Sequence, residues 1–197
     1  MLLCMLIGDK SYYPAGSEQL SENRLFGMYH SCTPQHNKDV ILHSLRRPDG
    51  VVRVVFATVA LGMGLDLRDV DTIIHYGAPR SLEDYFQESG RGGRSGSSAR
   101  SIVYWRVRDC PVKSKPSSLH DHEVIEVRRY LENTTECRRK MLLNYFDLSF
   151  AAPGENRDKC CDICSTMVCE WGCYIVVLVV CVCVHVPIPV FCWIAVA

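Results

Sequence analysis

Neither sign of charge is in excess across the 197 residues: 22 Lys and Arg face 22 Asp and Glu. No global field therefore draws in a polyanion, and any contact with nucleic acid has to come from a local basic patch. The sequence contains no Gly-Lys pair, which removes any G-x-x-x-x-G-K-[ST] loop able to cradle nucleotide phosphates. It also has no Asp-Glu dipeptide, so an acidic magnesium-holding motif of that form is absent. The opening MLLCMLIGDK has a brief apolar run but no basic flank and no small-residue cleavage site, which argues against a secretory signal. Charged residues then stop altogether after Glu170.

Cysteine, in contrast, is abundant. Twelve residues in a chain without a secretory signal point to a reducing compartment and to metal ligands before disulfides. Basic residues cluster at Arg46 and Arg47, from Arg91 to Arg108 and from Arg128 to Lys140.

Alternation of strand-like and helix-like stretches predicts an α/β domain with a parallel sheet. Residues 1–24 read as an entry segment or insertion, since SYYPAGSEQLSEN is loop-forming in composition. A short strand follows in RLFGMYH. Thr33 before Pro34 predicts an N-cap with proline at the first helical position, opening a helix to about Arg47. Val51–Ala57 is a β-branched run interrupted only by Arg53, as expected of a strand covered on both faces. Asp71–Tyr76 and Ser101–Arg106 predict two more strands. Between them Ser81 and Asp84 resemble a capping box for the helix LEDYFQES, with Leu82, Tyr85 and Phe86 as its packing stripe. Residues 111–118 read as a linker. Two helical patterns follow, EVIEVRRYLENT and ECRRKMLLNYF, the second with Thr135 as its expected cap.

The chemistry is concentrated between Val51 and Gly96. In QESGRGGRSG, Arg91 and Arg94 lie three apart among Gly90, Gly92 and Gly93, leaving little side-chain bulk to block a polyanion. Guanidinium groups stay charged and donate forked hydrogen bonds to phosphate oxygens. A solvated Gly/Arg/Ser loop is the plainer reading of those ten residues alone. Taken in order, however, ATVALGMGLDLRDV, IIHYGAP and QESGRGGRSG resemble motifs V and VI of superfamily 2 helicases of the RecQ family. That resemblance implies a RecA-like lobe over residues 25–110. It implies nucleotide contacts at Gly62, Gly64 and Asp66, DNA contact at Thr58, and catalytic roles for Gln87, Arg91 and Arg94, the arginines as fingers on the transferred phosphoryl group. Leu61 replaces the usual phenylalanine, Gly92-Gly93 the usual Ala-Gly, and Ser95 the usual Asp. The extra glycine is expected to loosen the seat of Arg94. His30, in MYHSCT, resembles the histidine of motif IV and is a further DNA-binding candidate. A structural hydrogen-bonding histidine is the simpler alternative.

A second constellation is Cys137, Cys160, Cys161 and Cys164, spaced C-x22-C-C-x2-C. Thiolates suit tetrahedral zinc, and a C-x2-C pair sets two sulfurs on one side of the metal. With CRRKMLLNYF before KCCDIC, the stretch resembles the RecQ zinc subdomain in its Werner-type variant with adjacent cysteines. Asp158 stands where the family's first cysteine of the second cluster would be. The alternative is that two of the four are buried thiols, with Cys169 or Cys173 as ligands. The zinc subdomain is expected over residues 119–168. Arg138 and Arg139 are candidates for DNA phosphates, against the simpler reading of a solvated basic face.

The run over residues 169–197 does not fit the resemblance. It is long enough to cross a bilayer as one helix, but Pro187, Pro189 and His185 interrupt it and no basic flank precedes it. Its abrupt composition reads as a truncated or mis-spliced frame and an aggregation-prone tail, with a membrane anchor as the alternative.

The resemblance as a whole implies a fragment of a nuclear, 3′-to-5′, ATP-dependent DNA helicase of repair and recombination. Its cofactors would be Zn2+ and an ATP with Mg2+ held mainly by a missing first lobe, which leaves the isolated chain unable to hydrolyse ATP. A non-catalytic zinc-containing DNA-binding module is the alternative.

Overall fold

The computed structural model describes residues 8–47, 49–58, 70–94, 96–149 and 159–165, and the backbone of 176–180 and 192–196. Six strands form one sheet: β1 (Phe26–Tyr29), β2 (Val54–Ala57), β3 (Thr72–Tyr76), β4 (Arg100–Trp105), β5 (Val176–Val180) and β6 (Cys192–Val196). Among the described residues four α-helices accompany it: α1 (Gln35–Leu45), α2 (Leu82–Ser89), α3 (Leu119–Glu132) and α4 (Arg138–Tyr145). The sheet order is β1-β2-β5-β3-β4-β6. All pairings are parallel except β6 on β4.

The expected α/β class is therefore met, and the reason lies in the strands themselves. Thr72 to His75 are all buried, the signature of an interior parallel strand flanked on both faces. β2 starts at Val54, later than the apolar run, because Arg53 turns its guanidinium onto the carbonyls of Gly50 and Val52. Helix α1 covers one region of the sheet, burying Ile41 and Leu45 against Val52, Val55, Ala57, Val70 and Ile73.

Residue 33 does not cap α1. Pro34 occupies the cap position with extended backbone, while the Thr33 hydroxyl donates to the Met28 carbonyl and accepts from the His30 N–H. A hydroxyl needed to close the turn after β1 is not free for the helix. Ser81 does cap α2, accepting from the Asp84 N–H at 3.1 Å. Leu82 and Tyr85 are buried as expected, while Phe86 is 38% exposed and packs against Phe146. Asp121 completes a reciprocal capping box with Ser118, which sets the start of α3 at the end of the polar 111–118 stretch. At α4 the cap position belongs to Cys137, not to Thr135.

The helical module is not separate from the sheet. Leu82, Tyr85, Val103 and Trp105 from the α/β part form one core with Val127, Tyr130, Leu131 and Leu142 from α3 and α4. Burying these side chains away from water fastens the two parts together.

The largest departure from expectation is the apolar run. Its strand β5 sits inside the sheet, paired over four residues with β2 and over five with β3. Strand β6 pairs with the outer edge of β4. Two strands stand in the run that read as an aggregation-prone tail, with a membrane anchor as the alternative, and among the described residues no helix is long and apolar enough to cross a membrane. A continuous β-branched segment satisfies its backbone inside a parallel sheet as well as a helix does within itself.

Among the described strands β5 is the one that pairs with both β2 and β3. Deleting residues 171–197 is expected to destabilise the α/β unit by on the order of 3 kcal/mol or more, which lowers its melting temperature by about 6–12 °C. Thermal melts of the full and shortened chains measure this, and an unchanged melt would place β5 outside the sheet.

Candidate functional site: the arginine turn and the cysteine cluster

Helix α2 ends at Ser89, and the chain then makes a tight turn through Gly90–Arg94. The Arg91 N–H donates to the Glu88 carbonyl at 3.2 Å, and the Gly92 N–H donates to that of Ser89. The Gly93 N–H reaches across to the Val70 carbonyl at 3.1 Å, pinning the turn to the start of β3. Gly93 has φ +70°, a conformation that disfavours any side chain. Gly92 is needed for a different reason: a Cβ there would lie 2.8 Å from the Ala99 Cβ. The second glycine therefore permits a close approach between the turn and the segment entering β4.

The two arginines differ in setting. Arg91 is half-buried and Arg94 exposed. Burial, with the positive charge of Arg94 adding to it, holds the Arg91 guanidinium below its usual range, while Glu88 pulls the other way. A cation disfavoured in this way gains more than an ordinary surface arginine when a polyanion arrives. The Arg91 Nε is buried without a hydrogen-bond partner among the described residues. Gln87 is exposed on the neighbouring helical turn.

Behind the turn lies a buried polar pair. His75 Nδ1 on β3 is 3.1 Å from Glu88 Oε2 on α2, with both side chains almost fully enclosed. Sequence reading passed over both residues. The signal was available, since His75 interrupts an otherwise apolar interior strand and a buried polar side chain requires a partner.

Thr58 is half-buried just beyond β2, its N–H donating to the Tyr29 carbonyl. His30 is half-buried in the turn after β1, and its Nδ1 accepts from the Cys32 N–H at 3.2 Å. That contact matches the structural alternative for His30. Gly62, Gly64 and Asp66 lie outside the described residues.

The four cysteines converge. Their sulfurs all lie within 4.8 Å of one another, with Cys137 3.5 Å from Cys160 and 4.0 Å from Cys161. A tetrahedron with Zn–S of about 2.3 Å requires sulfurs roughly 3.8 Å apart, so the spacing fits zinc. Burial and neighbouring groups shift Cys137, Cys160 and Cys164 in different directions. Burial opposes charge on Cys137, but the backbone N–H groups of Lys140 and Arg139 at the start of α4, with the thiols of Cys160 and Cys164, outweigh it and hold this thiol below its ordinary value. Burial, aided by Cys137, pushes Cys160 up to about 11. Burial and the neighbouring sulfurs push Cys164 up as well. Four thiolates cannot share this space without a cation to neutralise them.

Arg138 corrects an expectation. It is only 3% exposed, and its guanidinium is fully committed. Nε donates to Asp162 at 2.6 Å, Nη1 to the Tyr130 carbonyl at 2.7 Å and Nη2 to the Asn133 carbonyl at 3.0 Å. A side chain so enclosed does not reach a DNA phosphate. Helical periodicity placed it on a basic face, but the next residue, Arg139, is the one that is exposed.

Comparison with known proteins agrees with both halves. The family model described as a helicase conserved C-terminal domain matches residues 10–96, and the RecQ zinc-binding model matches residues 105–165. ATP-dependent helicase wrn-1 of Caenorhabditis elegans is 42% identical over 126 residues, covering 59% of this chain and 12% of its own length. ATP-dependent DNA helicase hus2/rqh1 of Schizosaccharomyces pombe is 40% identical over 141 residues, 64% of this chain and 10% of its own. RecQ-like DNA helicase BLM of Xenopus laevis is 33% identical over 150 residues, 69% and 11% respectively. The chain thus spans about a tenth of the length of these relatives.

Two outcomes follow from the geometry. Cys161→Ser is expected to reduce bound zinc from one equivalent to nearly none and to unfold residues 119–165, because metal binding and folding are one equilibrium in such modules. Metal analysis with circular dichroism measures it, and one full equivalent retained would remove Cys161 from the site. Gly92→Ala is expected to cost about 1–3 kcal/mol by overpacking. Ala99→Gly in the same chain should restore most of that loss in a denaturant melt.

Proposed function

The chain belongs to the RecQ family of helicases, as its C-terminal helicase lobe and zinc-binding module, and from that premise we propose that it is a fragment, carrying the second helicase lobe, of a 3′-to-5′ ATP-dependent DNA helicase acting in repair and recombination in the nucleus. The observation that carries this reading is the arginine turn, with Arg91 half-buried and Arg94 exposed at the end of α2.

The triphosphate and its Mg2+ are held by a partner lobe that supplies the phosphate loop and the acidic motif. Across the interlobe cleft, Arg91 and Arg94 approach the γ-phosphoryl group and neutralise charge that spreads over its oxygens as the bond to the leaving group breaks. Positioning and charge stabilisation account for most of the acceleration in this class of reaction. Gln87 orients the same region, and Gly62, Gly64 and Asp66 link nucleotide to DNA. Thr58, at the end of β2, faces the DNA backbone, with Arg139 as the exposed basic contribution of the zinc module. Zinc bound by Cys137, Cys160, Cys161 and Cys164 is structural: four protein ligands leave no open position for chemistry.

The test is DNA-stimulated ATP hydrolysis by this chain combined with a P-loop-bearing first lobe. Arg91→Ala and Arg94→Ala are each expected to lower kcat by about a thousandfold or more, with DNA binding retained. The chain without its partner lobe should show no DNA-stimulated hydrolysis. Hydrolysis by the isolated chain, or full activity in the double arginine variant, would overturn the proposal. DNA binding with zinc but no activity in any combination would leave the non-catalytic module.

A further inference from the structure

A line of buried polar side chains runs from the cysteine cluster to the arginine turn. Asp162 stands between Cys161 and Cys164, and Arg138 follows Cys137. Their ion pair at 2.6 Å ties both arms of the cluster together. The Arg138 guanidinium also binds the Tyr130 carbonyl and lies 5.7 Å from the Tyr130 ring centroid. The Tyr130 ring is 5.5 Å from that of Tyr85 on α2, and the Tyr85 ring is 5.0 Å from that of His75 on β3. His75 meets Glu88, whose carbonyl accepts the Arg91 N–H. Arg138, Tyr130, Tyr85, His75 and Glu88 are each at most 6% exposed.

Such a line is costly. Leu, Phe and Met of similar volume would fill the same space without desolvating a guanidinium, an imidazole, a carboxylate and two phenols. The His75 Nε2 and the Tyr85 and Tyr130 hydroxyls are buried without any hydrogen bond of ordinary geometry. The line is directional at its two ends, where Arg138 meets Asp162 and the Tyr130 carbonyl and His75 meets Glu88, and close-packed in its middle, where the rings of Tyr130, Tyr85 and His75 touch. The line also ends on the backbone of the turn that carries Arg91, and not on the distant α1 side of the sheet.

We propose that Arg138, Tyr130, Tyr85, His75 and Glu88 are positioning residues that couple the zinc cluster to the arginine turn, so that the state of the cluster sets the placement of Arg91. As a statement about catalysis it rests on the helicase reading; as a statement about coupling between the two modules it does not.

The experiment is amide hydrogen exchange on the zinc-loaded chain, read at Arg91 and Gly93, whose N–H groups fix the turn. Asp162→Asn keeps all four cysteines and removes the charge that faces Arg138. It is expected to speed exchange at both amides about tenfold, with the amides of α1 unchanged and zinc still at one equivalent. His75→Leu should do the same from the other end, while His75→Asn, which keeps a donor near the Nδ1 position, should retain protection. Because both variants break one line, their combination should exceed neither alone. Additive effects, or no change at Arg91 and Gly93 in Asp162→Asn, would overturn the coupling. Should Asp162→Asn lose zinc, Tyr130→Leu takes its place with the same expected and overturning outcomes.

In the two-lobe assembly the same variants should lower kcat about tenfold without changing the KM for ATP. An ATPase-silent wild-type assembly that still shows the exchange effect would sink the helicase reading alone. A working ATPase with no exchange effect would sink the coupling alone.

Discussion

Arg138 is the residue on which the C-terminal half of this chain depends. Its guanidinium is enclosed, and each of its three nitrogens meets an oxygen from a different place: Asp162 in the cysteine knuckle, Tyr130 at the end of α3, and Asn133 in the connection to α4. Removing one partner from a buried pair of this kind leaves a stranded charge, at a cost of about 3–5 kcal/mol. The cation therefore dictates where the knuckle, α3 and α4 sit relative to one another. Zinc requires that same arrangement, since its four sulfurs come from both sides of the Arg138–Asp162 pair. Metal and guanidinium reinforce each other, one neutralising thiolates and the other a carboxylate, a few residues apart.

The α/β half works by closeness of backbone. Gly93 N–H to the Val70 carbonyl, and Gly92 against Ala99, draw the arginine turn onto the edges of β3 and β4. Val70 and Ala99 lie just before β3 and β4, so the turn lies at the amino ends of these two strands. The turn presents two guanidinium groups there without the bulk that side chains at positions 92 and 93 would add. The two halves are one unit because Tyr85 and Tyr130 belong to a single core.

A good deal of this was legible in the residues. Helix α2 begins at Ser81 because a serine three residues before an Asp is a local capping signal. The cysteine cluster was legible because the C-C-x2-C spacing, with Cys137 more distant, suits one tetrahedral metal, and the four sulfurs do converge. Failures came where a local signal met a stronger tertiary demand. Thr33 has the chemistry of a cap, yet its hydroxyl is used by the turn after β1. Arg138 has the periodicity of a solvated face, yet Asp162, twenty-four residues on, draws it inside. The His75–Glu88 pair was missed because its members are thirteen residues apart, on a strand and a helix that nothing local brings together.

The apolar run at 169–197 separates the two kinds of information most clearly. By itself the sequence determined that this segment must leave water, that strands and helices alternate before it, that four cysteines suit one zinc, and that two arginines sit on a glycine turn. Those are consequences of composition and short-range spacing. Only the tertiary structure decided where the apolar run goes: β5 lies between β2 and β3, and β6 on β4. The physical reason is that a hydrophobic segment specifies burial but not a partner. Lipid, a helix bundle and an open slot in a parallel sheet all satisfy it, and the choice belongs to whichever backbone is positioned to pair.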